Sequence, residues 1–430
     1  MKDTTGLTRA PSTSGVSAEK QINDLQAVLE VSRELAAADE LTPLLRKVEH
    51  AALKVLGCER ATVFLYDASR NELYSRMATG VDDIRFSADS GIAGEVVKSG
   101  EIINVADAYA DPRFNPEIDK KTGFRTRNMV SFPLRGFDAS IVGVLQVLNK
   151  HDGQFDPWDH DLVEIFGAQV GVAVQRQLLL EHYAEKQRIE HDLSVARDIQ
   201  QGLLPKTDIK IDGFDVAGWN KPADETGGDC YDFFNLPDGR MALTIADATG
   251  HGIGPALMIA ECRALFRATT SLSNHLPDIT ARVNGLLCED LPDDRFVTAV
   301  FGVIAPEAAR LTYISAGHGP LLKYVRERHA VESLSAQGPP LGIIPDDLWT
   351  ESAVFTMQSG DMMVLLTDGF FECRNQAKEQ MGIGPISEII LDHRDYSAAE
   401  IIRRIHDAAL EFAGGHPQED DLTAVIIKKL

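Results

Sequence analysis

At 430 residues the chain is longer than a single hydrophobic core ordinarily supports, so two or three domains are expected. Its 44% hydrophobic and 25% charged residues are those of a globular protein, and no run approaches the ~18 apolar residues of a membrane-spanning helix, which excludes an integral helical membrane protein. The formal net charge of -23 would repel a phosphate backbone, which argues against a nucleic-acid partner. Cys58, Cys230, Cys262, Cys288 and Cys373 contain no C-x-x-C pair, so neither a disulfide framework nor a structural zinc site is expected.

Residues 1–20 are rich in Ser, Thr and Gly and lack the apolar centre of a signal peptide. They read as a disordered tail, and the chain is expected to remain in the cytoplasm. From Gln21 to Leu35 apolar residues fall at helical spacing (Ile22, Leu25, Val28, Leu29), and a second helix is expected over Leu41–Leu56. The period then changes: Ala61–Tyr66 and Glu72–Arg76 read as strands around the turn Asp67–Asn71, and the β-branched and leucine run Ile141–Leu148 reads as a central strand. Asp161–Leu180 returns to helix. Helices flanking an antiparallel sheet make an α+β domain over residues 24–176.

Gln175–Leu204 carries no Gly or Pro before Gly202, and Ile189, Leu193, Ala196 and Ile199 recur three or four apart. Residues 177–204 are thus expected to form a helical linker. Lys186 and Gln200 lie near its seam, so the heptad is imperfect, but a parallel coiled coil joining a homodimer is compatible with it. Residues 205–430 form the second domain. Phe214–Trp219 reads as its first strand, Tyr231–Leu236 and Met241–Ala246 as a hairpin around Pro237-Asp238-Gly239, and Pro255 as the first turn of a helix over Ala256–Arg267. Strands at Phe296–Ile304, Leu311–Ser315, Met362–Thr367 and Leu422–Ile427 alternate with helices at Asp278–Cys288 and Ala398–Phe412, which suggests an α/β sandwich.

In this half aspartates recur beside small residues at strand ends: Gly227-Gly228-Asp229, Asp247-Ala248-Thr249-Gly250-His251-Gly252, Thr367-Asp368-Gly369 and Asp420-Asp421-Leu422-Thr423. Hard divalent cations take oxygen ligands in a near-octahedral shell, and glycines let a main-chain carbonyl approach closely. A single Asp-Gly is more often a turn, but the set of Asp229, Asp247, Asp368 and Asp420 could hold two ions. The spacing of Gly250, Gly252 and Gly254 departs from G-x-G-x-x-G and from an Asp-x-Gly-x-Gly nucleotide box, which disfavours dinucleotide and kinase-type readings.

These segments, with Ala196 to Pro205, Ser315 to Pro320 and Pro340-Leu341-Gly342, resemble in order and context the PPM phosphatases of the sporulation stage II E type over residues 195–430. The resemblance implies an α-β-β-α sandwich and a two-metal (Mn2+ or Mg2+) protein serine/threonine phosphatase whose usual substrate is a phosphorylated anti-sigma-factor antagonist. It implies that Asp247 bridges the metals, with the Ala248 carbonyl and Asp229 on the first and Asp368 and Asp420 on the second. Asp232, Asp421 and His318 would stand behind these ligands or serve structure alone. Cys230 and Ala248 depart from the family's commoner residues without removing a carboxylate. Two such ions would lower the pKa of a shared water, so no protein nucleophile is needed.

Gly91 to Val97, Asp111-Pro112-Arg113-Phe114-Asn115, Thr122 to Thr126 and the set Asn149, Lys150, Phe155 and Asp159 resemble a GAF domain over residues 24–176. The last set is similar to a motif of cyclic-nucleotide-binding members, in which Lys150 and Asp159 would pair and His160 replaces an acidic residue. A cyclic nucleotide (cAMP or cGMP) is then one ligand to expect, against another small molecule or a role in dimer contacts. Two functions stand at this point: a sensor-gated phosphatase, or a non-enzymatic scaffold that binds a phosphoprotein through the same fold. Four mutually repelling carboxylates favour the enzyme.

Overall fold

Ser17 opens the first helix by accepting a hydrogen bond from the Lys20 amide at 3.3 Å, and it stands at the start of the described residues in the computed structural model, which are 17–76, 84–205, 210–345 and 349–430. Residues 1–16 of the expected tail lie outside them. Helix α1 (Ala18–Ala36) buries Val28, Val31 and Leu35, and α2 (Leu41–Leu56) ends on Gly57 in the left-handed region at φ 59°. Strands β1 (Cys58–Asp67), β2 (Glu72–Ser75) and β3 (Ile84–Ser87), helix α3 (Gly91–Ser99), β4 (Ile103–Val105), α4 (Glu117–Thr122), β5 (Met129–Arg135) and β6 (Ile141–Lys150) follow. They form a six-stranded antiparallel sheet in the order β3-β2-β1-β6-β5-β4, with the β-branched run of β6 at its centre. One face of this sheet packs on α1, α2 and the next helix through Leu44, Val48, Val63, Phe132, Leu145, Val163 and Phe166.

That next helix, α5, is continuous over 47 residues, Pro157–Leu203. The domain helix and the linker helix expected from the sequence are therefore one element. Gly167 and Gly171 lie inside it because it runs against β5: a Cβ at Gly171 would stand 2.2 Å from the Arg135 carbonyl oxygen. The last buried residue of α5 is Gln177, and the chain divides into two compact units between Gln187 and Arg188.

The second unit contains β7 (Phe214–Lys221), β8 (Asp229–Asn235), β9 (Met241–Ala248), α6 (Ile253–Thr269), α7 (Leu276–Asp290), β10 (Val297–Ala305), β11 (Arg310–Ala316), β12 (Leu321–Val325), β13 (Ala330–Leu334), β14 (Ala353–Thr356), β15 (Met362–Leu366), α8 (Asp368–Phe371), α9 (Ile383–Asp392), α10 (Ala398–Ala413) and β16 (Leu422–Lys429). The strands make two five-stranded sheets, β14-β11-β10-β9-β8 and β13-β12-β15-β16-β7. Alternation along β8 sends Tyr231 and Phe233 between the sheets, where they meet Leu243, Ile245, Val300, Met363, Leu365, Val425 and Ile427. The outer face of the first sheet is covered by α6 and α7 through Ile259, Cys262, Phe266 and Val283. That of the second is covered by α9 and α10 through Ile386, Ile390, Ile401 and Ile405. The layers are α-β-β-α, as the resemblance implied. Among the described residues no helix is long and apolar enough to cross a membrane.

Candidate metal centre

Strands β8 and β9 pair so that Asp229 stands directly opposite Asp247. Like charges facing each other across a ladder repel, and here they do so with Asp229 only 4% exposed. Burial, then the Asp247 and Asp421 charges, push the Asp229 carboxyl well above the ordinary range. Burial followed by Asp368, Asp420 and Asp421 raises Asp247 to about 7, and burial followed by Asp420 and Glu372 raises Asp368 to about 6. The carboxylates acting on Asp247 come from the other sheet. Asp368 opens α8 just past the end of β15, and Asp420 lies two residues before β16.

The small residues around these aspartates have steric reasons. A Cβ at Gly228 would stand 2.8 Å from the Ala248 carbonyl oxygen and 3.3 Å from that of Gly250, so glycine keeps a space onto which two main-chain oxygens face. A Cβ at Gly369 would stand 2.1 Å from the Asp421 carbonyl oxygen, which lets α8 begin against the entry to β16. Thr367, between β15 and α8, donates from Oγ1 to Asp229 Oδ2 at 2.8 Å and accepts from the Thr423 amide at 2.9 Å, tying the two sheets behind the carboxylates.

The donor set suits a hard divalent cation: it is entirely oxygen, with carboxylates strained by mutual repulsion and main-chain carbonyls beside them. No three of Asp229, Asp247, Asp368 and Asp420 bring their oxygens within 4.8 Å of one another; among the described residues the group that does is His160, Asp161 and Glu164, on one largely exposed turn of α5.

The three residues placed behind the ligands separate. Asp421 is buried and accepts from the Ala223 amide at 2.7 Å and the Gly228 amide at 2.5 Å, so it shapes the Gly227-Gly228 loop. Asp232 faces away from the centre. It lies three residues from Asp229 on β8, hence on the opposite face, where it pairs with Arg263 at 3.0 Å and Arg267 at 2.5 Å of α6. His318 Nδ1 lies 3.1 Å from Thr298 Oγ1, and Thr298 is the β10 partner of Asp247. Burial pushes its imidazole down to about 4, so it serves as a neutral tether.

Three residues near the centre were not identified from the sequence as parts of it. Gln200, an apparent misfit in the helical seam, donates from Nε2 to the Gly227 carbonyl at 2.6 Å and accepts the Gly227 amide at 3.0 Å. Arg197, one turn earlier on α5, donates to the Glu225 and Asp224 carbonyls at 2.7 and 3.2 Å. The end of α5 is thereby fastened to the loop that leads into Asp229. The third residue, Arg295, donates to the Thr249 carbonyl at 3.0 Å.

In the first unit Asn149 is held by one set of contacts, and Lys150, Phe155 and Asp159 by another. Asn149, buried at φ 60°, accepts from the Arg127 amide at 2.6 Å and donates to Glu59 at 2.8 Å and the Arg125 carbonyl at 2.9 Å. Lys150 pairs with Asp159, as expected, and its Nζ lies 5.5 Å from the centre of the Phe155 ring. The Lys150–Asp159 pair joins the end of β6 to the start of α5, while the Asn149 bonds tie it to β1 and to the segment before β5.

Two stacked sheets covered by helices on both outer faces thus carry an acidic centre at one end of their strands. Residues 237–429 match the family model for stage II sporulation protein E (SpoIIE), and residues 40–174 match that for the GAF domain. The chain therefore carries a GAF domain followed by a SpoIIE-type PP2C phosphatase domain. The SiaA-PP2C domain of Pseudomonas aeruginosa shares the fold at a TM-score of 0.50 and 21% identity, over 57% of this chain and 98% of that one. The phosphoserine phosphatase RsbU of Bacillus subtilis is 25% identical over 244 residues, 57% of this chain and 72% of the relative. A probable 3',5'-cyclic phosphodiesterase of Caenorhabditis elegans, pde-5, is 35% identical over 169 residues, 36% of this chain; the chain spans 22% of that relative's length.

Proposed function

We propose that this chain is a sensor-regulated, metal-dependent protein serine/threonine phosphatase that hydrolyses phosphoserine or phosphothreonine on a partner protein. The observation that carries the reading is the pair Asp229 and Asp247, facing each other on β8 and β9 while Asp368 and Asp420 approach from the second sheet. Such an arrangement has no structural benefit without a cation. Asp247 would be shared between two ions, Asp229 and the Ala248 carbonyl would serve one, and Asp368 and Asp420 the other. Divalent cations such as Mn2+ or Mg2+, when bound, supply an activated water and neutralise charge on the phosphoryl group. The protein's part is to fix the carboxylates through Thr367, Asp421 and His318. The likeness to RsbU supports a phosphoserine substrate, and the sporulation-type resemblance an anti-sigma-factor antagonist.

The GAF domain would be the sensor. Similarity to a cyclic-nucleotide phosphodiesterase supports cAMP or cGMP as its effector. The decisive experiment is hydrolysis of p-nitrophenyl phosphate by the full chain: turnover should require Mn2+ or Mg2+ and stop in EDTA. Undiminished turnover after chelation would refute the reading.

A further inference from the structure

We propose that Arg295 contacts the substrate: its guanidinium binds the non-bridging oxygens of the phosphoryl group at the aspartate centre. The proposal rests on the phosphatase reading above and adds to it the cation that the protein itself supplies.

Arg295 lies two residues before β10, in its connection from α7, and β10 pairs with β9 so that Val297 faces Ala248 and Thr298 faces Asp247. The register brings Arg295 to the end of the sheet at which the chain turns after Asp247. Its Nη1 donates to the Thr249 carbonyl and would stand 2.7 Å from a Cβ at Gly250. The Gly250 and Ala248 carbonyl oxygens both lie near Gly228, beside Asp229. The guanidinium therefore rests on the turn that carries two of the candidate metal-site residues. Gly250 has two reasons to be glycine: its φ of 93°, and the room its missing side chain leaves for Arg295.

Charge points the same way. Three arginines nearby in the same sheet-and-helix layer pair with carboxylates, Arg263 and Arg267 with Asp232 and Arg240 with Asp238, whereas Arg197 donates to main-chain carbonyls. Arg295 is half-buried, and among the described residues no carboxylate stands within 4.0 Å of it; the bond to Thr249 uses one donor on a neutral carbonyl. A guanidinium has five N–H donors in a planar fork, so donors suited to a tetrahedral oxyanion remain. A phosphomonoester dianion approaching four carboxylates needs positive charge beyond what metals spend on those carboxylates. A partly desolvated arginine beside the site can provide it through charge-assisted hydrogen bonds.

The alternative is that Arg295 merely staples the Thr249 turn. Arg295→Met and Arg295→Lys in the full chain separate the two roles. Three quantities are read: the KM for p-nitrophenyl phosphate with the inhibition constant of inorganic phosphate, the Mn2+ concentration for half-maximal activity, and the thermal midpoint. Arg295→Met should raise KM and the phosphate inhibition constant at least about 10-fold, with the Mn2+ requirement and midpoint near wild type; Arg295→Lys should recover part of the loss. Unchanged phosphate inhibition, or a loss removed by extra Mn2+ or traced to a lower midpoint, would overturn the proposal. Calorimetric titration of the Mn2+-loaded chain with inorganic phosphate reads Arg295 without turnover. A wild type that binds phosphate but hydrolyses nothing sinks the phosphatase reading, and equal binding by Arg295→Met sinks this one.

Discussion

Asp420 and Asp421 are neighbours with different work. Asp421 gives both oxygens to main-chain amides of the loop that ends in Gly227-Gly228, while the Asp420 carboxylate is exposed at the rim and accepts the Asp421 amide at 2.8 Å. Asp229, Asp247, Asp368 and Asp420 could be found in the sequence because each sits in a short motif with its own glycine or carboxylate neighbour. Sorting Asp232 from them needed the alternation of β8, and Arg295 could not be found at all, since its contact lies 46 residues away in the chain. The repulsion between Asp229 and Asp247 gives a test with two opposed outcomes. Asp247→Asn should abolish metal-dependent turnover, by a factor of about 100 or more, yet raise the thermal midpoint of the EDTA-treated protein at pH 8 by a few degrees, roughly 2–4 °C. Rates of the variant and midpoints of both metal-free proteins check the two halves; a lower midpoint would mean that the facing carboxylates are not a source of strain.

Among the elements, α1, α2, β6 and α10 lie close to where periodicity places them, because each presents one uninterrupted apolar face. β5 escaped because Pro133 interrupts its pattern, although Pro133 pairs with Val144 inside the sheet. The short strands β12, β13 and β14 offered too few residues for a period to emerge. α9 begins Ile383-Gly384-Pro385, a start that reads as a turn. The end of α5 has the clearest functional weight. Ile199 there is 64% exposed, so the helix engages the aspartate loop through Gln200 and Arg197 instead of an apolar seam. Gln200→Ala removes both hydrogen bonds to Gly227 and should lower kcat about 10-fold or more while raising the Mn2+ concentration for half-maximal activity. Gln200→Glu, which keeps only the acceptor, should fall between. A Gln200→Ala enzyme with wild-type kcat and metal requirement would show that this contact does not position Asp229.

At the scale of the chain, α5 is about 70 Å long by its 1.5 Å rise per residue. Its exposed Ile165, Val172 and Leu179 recur every seven residues, and α1 exposes Ile22 and Leu29 at the same interval. A seven-residue apolar stripe suits a second helix of the same kind, so a homodimer, if one forms, is expected to use these faces. Val172→Glu combined with Leu179→Glu should convert the protein to monomer with its secondary structure retained, as sedimentation velocity and circular dichroism would record. Sedimentation of the double variant as a dimer would place the contact elsewhere.

Asp229 and Asp247 belong to one sheet, Asp368 and Asp420 to the ends of strands in the other. Any cation they share is consequently a clasp across the seam between two stacked layers. Because coordination tolerates only a few tenths of an ångström, a small slip of one layer over the other would release the ion while the apolar interior stayed intact. Metal affinity would then be a gauge of sheet alignment, and a sliding motion far too slight to unfold the chain would disarm it.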